Sequence, residues 1–198
     1  MEIVYNAHPT AQKFHASPKL VRGFLGPVGN GKSVACLQEG VRLSFEQWPN
    51  KDGIRKSRGV VIRNTGPELR TTTLKTWKQW FPEPLSHIVM HPVITASIDQ
   101  KLPDGTSVEL EVLFLALDND NDVKKLLSLE ASWVFINEAK EVPYSVLKAA
   151  RERVGRYPSG TDGYARNGDF EGYYNADGTP NFCRHPAVLM DTNPSPIS

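Results

Sequence analysis

The residues from position 26 to position 33 have the types and spacing of a loop that binds phosphate. In order they are Gly26, Pro27, Val28, Gly29, Asn30, Gly31, Lys32 and Ser33. In the pattern G-x-x-x-x-G-K-[ST], backbone N–H groups surround the phosphates, the lysine reaches the β- and γ-phosphates, and the hydroxyl group ligates Mg²⁺. We therefore expect the whole loop to bind ATP or GTP with Mg²⁺, and Lys32 to act on the transferred phosphate.

The segments on either side of the loop support this interpretation. Residues 20–25 are typical of a short buried strand, and residues 34–43 are typical of a helix. A helix that begins at the loop directs its positive N-terminal dipole at the anion. Strand, loop and helix therefore occur in the required order, and a chance match of a glycine-rich turn is the weaker alternative.

A polar pair follows an apolar run about a hundred residues later in the chain. Residues 133–136 form the run, and Asn137 and Glu138 come directly after it. Because the carboxyl ends of parallel strands meet at one edge of a sheet, this pair can lie beside the phosphates. Glu138 is predicted to be the base that activates the water attacking the γ-phosphate. The alternative is a solvated acid in the first turn of the next helix.

Asn137 occupies a position at which most strands of this kind carry aspartate before the glutamate. An amide is a weaker ligand of Mg²⁺ than a carboxylate. We therefore expect Ser33 to be the direct side-chain ligand of the metal and Asn137 to act through a metal-bound water.

The composition fits a single α/β domain with a substantial core. The chain has 198 residues, 39% hydrophobic content and a formal net charge of +1, so its overall charge indicates no particular partner. No apolar run approaches the roughly 18 residues that a membrane helix needs, and the amino end lacks the features of a signal peptide. Cys36 and Cys183 are far apart in sequence. We therefore expect a soluble intracellular protein with buried, reduced thiols.

Strand-like segments alternate with helical ones, which predicts a mostly parallel sheet flanked by helices. Residues 59–63 are a further strand, and the segment 67–81 has the apolar face of a helix. Residues 96–102 and 107–117 are strand-like on either side of an Asp-Gly turn, which indicates an antiparallel hairpin. The polar segment 157–186 is too long for an ordinary connection, so we expect a surface excursion there.

Together these motifs resemble the ATPase domain of the large terminase subunit, the DNA-packaging motor of tailed bacteriophages. Residues 6–15 are similar to the adenine-binding segment of that family, and the glycine-rich loop is similar to its Walker A motif. Residues 126–130 and 135–143 resemble the Walker B region, and residues 153–158 continue the match. Residues 190–194 resemble the coupling motif. The resemblance implies an α/β fold of the RecA-like, additional-strand catalytic-glutamate type.

The resemblance also implies roles for residues outside the two main motifs. Gln12 should hydrogen-bond the adenine edge, which favours ATP over GTP. Thr192 and Asn193 should sense the γ-phosphate and pass hydrolysis on to the parts that hold DNA. From the residues alone, Gln12 is equally a polar residue at a helix start, and Asn-Pro at 193–194 is equally a turn.

The loop contains no arginine, although some terminases place one there. The resemblance suggests that a neighbouring subunit of a ring supplies a cation instead, and such a residue contributes roughly 10³ to 10⁵ in rate. The candidates are Lys124, Lys125, Arg151, Arg153 and Arg156. Each of them is equally a solvated surface charge, and Arg63 or Arg70 would be the alternative if the cation comes from the same chain.

The partners that the resemblance implies are double-stranded DNA, a portal protein and a small terminase subunit. Residues 1–198 would then be the motor domain, without the lid and the nuclease domain, so we expect no DNA cleavage. Its place would be the cytoplasm of an infected bacterial host and, transiently, the procapsid portal. The alternatives are a nucleotide-dependent switch or adaptor with slow hydrolysis, and a P-loop helicase or recombination ATPase.

Overall fold

A seven-stranded sheet forms the centre of the computed structural model, which describes residues 4–119, 122–164 and 181–194. Its strands are β1 Val21–Leu25, β2 Ile54–Arg63, β3 His87–Val89, β4 Ile94–Lys101, β5 Ser107–Ala116, β6 Trp133–Ile136 and β7 Ala187–Thr192. The order across the sheet is β1-β7-β6-β2-β5-β4-β3. Neighbours from β1 to β5 run parallel, and β4 and β3 are antiparallel additions.

Helices cover both faces of this sheet. They are α1 Pro9–His15, α2 Lys32–Phe45, α3 Gly66–Glu68, α4 Leu74–Trp80, α5 Val123–Leu127 and α6 Tyr144–Arg153, with a π turn at Leu69–Thr73 and 3₁₀ turns at Ala139–Glu141 and Gly160–Asp162. In the part of the chain that the structure describes, none of the helices has the length and apolar character needed to cross a membrane.

The core divides according to the alternation of side chains along the strands. Trp133 and Phe135 of β6 point to the face that α2 and α4 cover. Val134 and Ile136 point to the other face, against α5 and α6. The apolar character of all four residues therefore reflects burial on both sides, as expected for a strand inside a parallel sheet.

Trp133 determines how closely α2 approaches the sheet. Its side chain is fully buried, and its Nε1 donates to Ser44 Oγ of α2 at 2.9 Å. A Cβ atom at Gly59 would lie 2.2 Å from the indole ring, and one at Gly40 would lie 2.9 Å from it. Both positions therefore need glycine because the indole ring occupies the space of any side chain.

The predicted α/β class and the antiparallel hairpin are confirmed. The single helix predicted over 67–81 is instead interrupted by the π turn, and β2 begins five residues before the predicted strand. The described ends of the excursion pack on the domain, since Tyr164 is buried and its hydroxyl donates to Trp48 O at 2.7 Å. Its middle, 165–180, lies outside the described residues.

The two cysteines are buried and unpaired thiols, as expected. Cys36 Sγ donates to Met190 O at 3.6 Å, and Cys183 Sγ donates to Ser132 O at 3.7 Å. Burial raises the pKa of Cys183 to about 12. A buried protonated thiol is unreactive, so neither cysteine is a candidate for chemistry.

Replacing Gly59 with alanine tests this packing. We expect Gly59→Ala to lower the free energy of unfolding by about 1–3 kcal/mol, because the new methyl group must displace the Trp133 ring. Gly23→Ala in β1 is the matched control, since its Cβ would have no neighbour closer than 3.6 Å. Urea denaturation measures both changes. Equal stabilities of the two variants would contradict the proposed constraint.

Candidate nucleotide-binding site

The glycine-rich loop connects β1 to α2 at the carboxyl edge of the parallel strands. Gly29 and Gly31 have φ values of 83° and 70°, a region that favours glycine because other residues clash there. The N–H of Gly26 donates to Thr192 O at 3.3 Å, which fixes the start of the loop to the end of β7. Since α2 begins at Lys32, its N-terminus faces the loop and would attract phosphate.

Lys32 is held inside the loop. Its Nζ donates to Pro27 O at 2.7 Å and to Asn193 Oδ1 at 3.0 Å, and the residue is only 9% exposed. Its charge is therefore fixed beside the phosphate position before any ligand arrives.

Glu138 stands directly after β6 in a strained backbone conformation. It is the only non-glycine residue of the described chain with a left-handed backbone, at φ 52° and ψ 59°. Such strain costs about 1–3 kcal/mol and clusters at functional sites. The carboxylate accepts from Asn193 N at 3.1 Å and from Asn193 Nδ2 at 2.5 Å.

Asn193 therefore connects the cation and the acid of the site. Its amide oxygen accepts from Lys32, and its amide nitrogen donates to Glu138. The side chain of the predicted coupling residue thus lies between the two groups that would contact a γ-phosphate and its attacking water. Thr192, the other predicted coupling residue, ends β7, and its backbone holds the start of the loop.

Asn137 has the opposite orientation to that needed for its predicted role. Its Nδ2 lies 2.8 Å and 3.1 Å from the two carboxylate oxygens of Asp191 and 3.3 Å from Ser33 Oγ. Because a carboxylate only accepts hydrogen bonds, the group facing Asp191 must be the nitrogen. The oxygen accepts from Thr73 Oγ1 at 2.6 Å instead. Its position does not support holding a metal-bound water through this oxygen.

Asp191 is the residue of this site that sequence reasoning missed. It lies near the end of β7, is 1% exposed, and accepts from Ser33 Oγ at 2.5 Å and from Glu138 N at 2.7 Å. One signal in the sequence was available, because Asp191 follows the apolar residues 187–190 as Asn137 follows 133–136. Attention to the coupling residues after it concealed this signal.

Two cavities meet at the loop. A phosphate-side cavity of about 290 Å³ is lined by residues 28–34, Thr76, Glu138 and Asn193. A base-side cavity of about 610 Å³ extends from the loop to Tyr5, His8 and Trp80. Together they have the length and the mixed polar and aromatic lining of a nucleotide site.

Gln12 does not line either cavity. Its side chain is exposed and donates to Ala7 O at 3.0 Å. The structure therefore brings the backbone region around α1 to the base-side cavity but not this amide. The described side chains on that side are Tyr5, Asn6, His8, Thr10, Phe24 and Trp80.

A buried ionic network attaches the amino-terminal segment to α2. Glu39 is fully buried and accepts from His15 Nδ1 at 2.6 Å, from Arg22 Nη1 at 2.6 Å and from Arg42 Nη2 at 2.8 Å. His15 Nε2 lies 3.0 Å from the hydroxyl of Tyr5, a wall of the base-side cavity. Burial by itself raises the pKa of Glu39, but the hydrogen bonds from His15 and Arg42, with the neighbouring guanidinium charges, lower this pKa to about 2.

The candidate basic residues do not reach this site in their own chain. Arg151 and Arg156 line a cleft with Leu20 and Pro186, which precede β1 and β7. Arg153 O accepts from the N–H of Ala131, which precedes β6. These three arginines therefore lie at the edge of the sheet opposite the loop.

The two lysines and the alternative arginines are placed differently. Lys124 and Lys125 are exposed on α5, where Lys125 pairs with Asp122, and neither lines the two cavities. Arg63 is buried behind the site, where its Nη1 donates to Asn137 O at 3.4 Å and pairs with Glu141 at 2.9 Å. Arg70 is exposed on the π turn.

Comparison with known proteins finds the same fold in solved structures. No family profile and no curated protein sequence matches the chain. The large terminase ATPase domain of Thermus phage P74-26 superposes with a TM-score of 0.53 at 17% identity, over 98% of this chain and 67% of that one. The large terminase of another, thermophilic bacteriophage gives 0.57 at 13% identity, over 94% of this chain and 39% of that one. The latter has also been solved with ADP and with ATP-γ-S.

The chain thus has the RecA-like P-loop fold. Within that class, it has the particular fold of phage large-terminase ATPase domains, which confirms the resemblance at the level of structure. It spans well under half the length of the thermophilic phage's terminase.

The stability of the ionic network should depend on pH. A carboxyl group whose pKa is depressed in the folded state stabilises the fold above its ordinary pKa, and this contribution is lost as the pH falls through the folded value. We therefore expect the free energy of unfolding to decrease between about pH 4.5 and about pH 2 because of Glu39. Urea denaturation across this range measures the effect.

Glu39→Gln is the corresponding variant. It leaves Arg22 buried without a full counter-charge and should cost about 3–5 kcal/mol at neutral pH. Glu46→Gln is the matched control, because it removes a partly exposed partner of Arg42 and should cost less than about 1 kcal/mol. Similar losses in the two variants would show that the buried network has no special importance.

Proposed function

We propose that the chain is the ATPase motor domain of a phage large terminase, which hydrolyses ATP with Mg²⁺ to move double-stranded DNA into a procapsid. The observation that carries this proposal is the hydrogen-bonded series of Lys32, Asn193 and Glu138 at the loop. It places a phosphate-binding cation, a sensing amide and a general base in one cavity. The fold shared with large-terminase ATPase domains supports the same assignment.

Each residue of the loop region has a role in this proposal. The loop N–H groups and Lys32 bind the phosphates, and Ser33 presents its hydroxyl to Mg²⁺. The metal, when bound, neutralises charge on the phosphate oxygens. Glu138 accepts a proton from the attacking water. To do so it must release Asn193, because that residue now occupies both carboxylate oxygens.

Asn193 is suited to the coupling role for the same reason. A γ-phosphate beside Lys32 would compete with the Asn193 oxygen for the ammonium group, and its arrival would free the amide from Glu138. The end of β7 would then move with the state of the nucleotide. Thr192 continues this strand to the loop through its carbonyl group.

The base is proposed to enter the cavity beside Tyr5 and Trp80. Their rings are in edge contact, with centroids 6.0 Å apart, and an aromatic wall suits a purine. Gln12 can contribute a hydrogen bond only after its side chain leaves Ala7.

The partners proposed from the resemblance are duplex DNA, portal protein and the small terminase subunit. They imply action in the cytoplasm of an infected host and at the procapsid portal. The opposite placement of Arg151, Arg153 and Arg156 supports delivery of a cation to a neighbouring subunit, since a ring can bring one subunit's far edge to the next subunit's loop.

A nucleotide-dependent switch with slow hydrolysis is the second candidate. The observation that favours it is the double hydrogen bond from Asn193, which keeps Glu138 from acting as a base. The two candidates differ in turnover, since a motor hydrolyses ATP rapidly once its partners assemble.

Glu138→Gln separates the catalytic role from a capping role. We expect this variant to bind ATP about as well as the parent and to lose roughly 10² or more in kcat, because general-base catalysis contributes in that range. Lys32→Ala, by comparison, should lose ATP binding itself. Glu152→Gln, an exposed acid of α6, is the control. Calorimetry and steady-state phosphate release provide the measurements, and a loss below threefold would rule out Glu138 as the base.

Turnover should also depend on assembly. We expect the isolated chain to be a monomer at micromolar concentration that hydrolyses ATP slowly, with a rate per chain that rises on assembly, because a cation from the neighbour contributes roughly 10³ to 10⁵. Specific activity across a dilution series, with mass from light scattering, measures this. Duplex DNA and portal protein are then added separately and together. A packaging motor should respond most to both, whereas a helicase or recombination ATPase should respond to DNA alone.

Mixing variants locates the cation. An Arg151, Arg153 or Arg156 to alanine variant that is inactive alone should regain activity when mixed with Glu138→Gln, because one intact site can then form at an interface. Fast turnover by a strict monomer would show that the same chain supplies the cation, and Arg63 and Arg70 would be tested next.

A further inference from the structure

Asp191 lies where the parts of the proposed nucleotide site converge. Strand β7 lies between β1, which carries the loop, and β6, which carries Asn137 and Glu138. Phe24 pairs with Asp191, and Ile136 pairs with Met190, so Asp191 is level with Asn137 at the carboxyl edge of the sheet. The position is therefore central to the site, although it belongs to a different strand from the acid expected at position 137.

The partners of this carboxylate are neutral. They are the hydroxyl of Ser33, the amide nitrogen of Asn137 and the backbone N–H of Glu138. Within residues 4–119, 122–164 and 181–194, no lysine, arginine or histidine forms an ion pair with Asp191. The residue is nevertheless 1% exposed. A buried carboxylate is normally paired with a cation or bound to a metal, so the arrangement lacks a positive charge.

The other polar residues of this edge are already engaged. The oxygen of Asn137 accepts from Thr73, and its nitrogen cannot ligate a cation because it carries two protons. Both oxygens of Glu138 accept from Asn193. Asn137 instead directs its N–H₂ group at Asp191 and so orients the carboxylate toward Ser33.

The donor set of Ser33 and Asp191 fits Mg²⁺. This ion usually takes one or two protein oxygens and completes its shell with water and substrate phosphates. The hydroxyl of Ser33 can donate its proton to Asp191, as it does here, and still offer a lone pair to the metal. The contact seen in the structure is therefore compatible with a bound ion.

We propose that Asp191, rather than Asn137, supplies the carboxylate that binds the hydrated Mg²⁺ of the nucleotide. The inference rests on the proposed function, and it makes β7 the strand that carries both the metal-binding acid and the sensing residue Asn193. Loss of the metal with the released phosphate would then act directly on the strand that ends in the coupling motif.

The experiment measures metal binding and not only turnover. Mn²⁺ serves as the probe, and its electron paramagnetic resonance signal in the protein–ADP complex gives the affinity. Asp191→Asn should weaken Mn²⁺ binding roughly 10- to 100-fold, the usual effect of removing a group that supports a metal site. Affinity for ADP in the presence of EDTA should stay within about threefold of the parent. Asp99→Asn, the same change at an exposed strand acid, is the matched control and should change neither quantity.

A charge swap gives an independent test. Asn137→Asp combined with Asp191→Asn returns a carboxylate to the same 2.8 Å contact from the neighbouring strand. We expect the swap to recover most of the Mn²⁺ affinity lost in Asp191→Asn, which a merely structural role for Asp191 would not predict. Failure of the swap to recover any affinity would count against the proposed position of the ion.

The remaining outcomes separate this inference from the proposed function. If the parent does not bind ADP in EDTA, the proposed function is wrong and this inference falls with it. If the parent binds ADP and folded Asp191→Asn keeps the parent's Mn²⁺ affinity, only this inference is wrong. If Asp191→Asn does not fold, Asp191→Ser replaces it, because a serine hydroxyl still accepts from Asn137 and Glu138, and the same result is expected.

Discussion

A buried carboxylate connects the elements of the site. Asp191 accepts hydrogen bonds from the loop, through Ser33, and from the end of β6, through Asn137 and the backbone of Glu138. These segments have no local reason to lie together, since Ser33 and Asp191 are separated by 158 positions. The strained backbone of Glu138 is held by the same contact. The geometry of the site therefore depends on one acid in β7, and on whatever compensates its charge.

A second constraint joins the site to the motion that a motor would need. Asn193 is two residues beyond Asp191, and its amide group lies between Lys32 and Glu138. An amide can satisfy a cation and an anion at once because it offers an acceptor and a donor. Ligand phosphate and attacking water would each compete for one side of this amide. The resting arrangement therefore keeps the base occupied until the site is filled.

The base side of the site depends on charge rather than on apolar packing. Glu39 joins α2 to His15 of α1 and to Arg22 of β1. A buried ion pair adds little net stability, because desolvation offsets much of its attraction, but loss of one partner is costly. The network therefore fixes the position of the amino-terminal segment, including Tyr5 on the cavity wall, relative to the helix that begins at the loop.

Local patterns in the sequence determined much of this protein. The glycine spacing of the loop, the apolar run before Glu138 and the Asp-Gly turn of the hairpin depend on neighbouring residues, and so they predict backbone structure directly. The fold class followed from the alternation of strands and helices. The predicted roles of Lys32, Ser33 and Glu138 rest on the same local signals.

Tertiary structure alone decided which side chains face one another. The insertion of β7 between β1 and β6 brings Asp191 to Ser33, and the π turn at Leu69–Thr73 brings Thr73 to the oxygen of Asn137. The orientation of that amide, and the exposure of Gln12, follow from contacts between distant segments. Such contacts carry no local signature, because the pairing order of parallel strands and the partner of each polar group are fixed only when the whole sheet assembles.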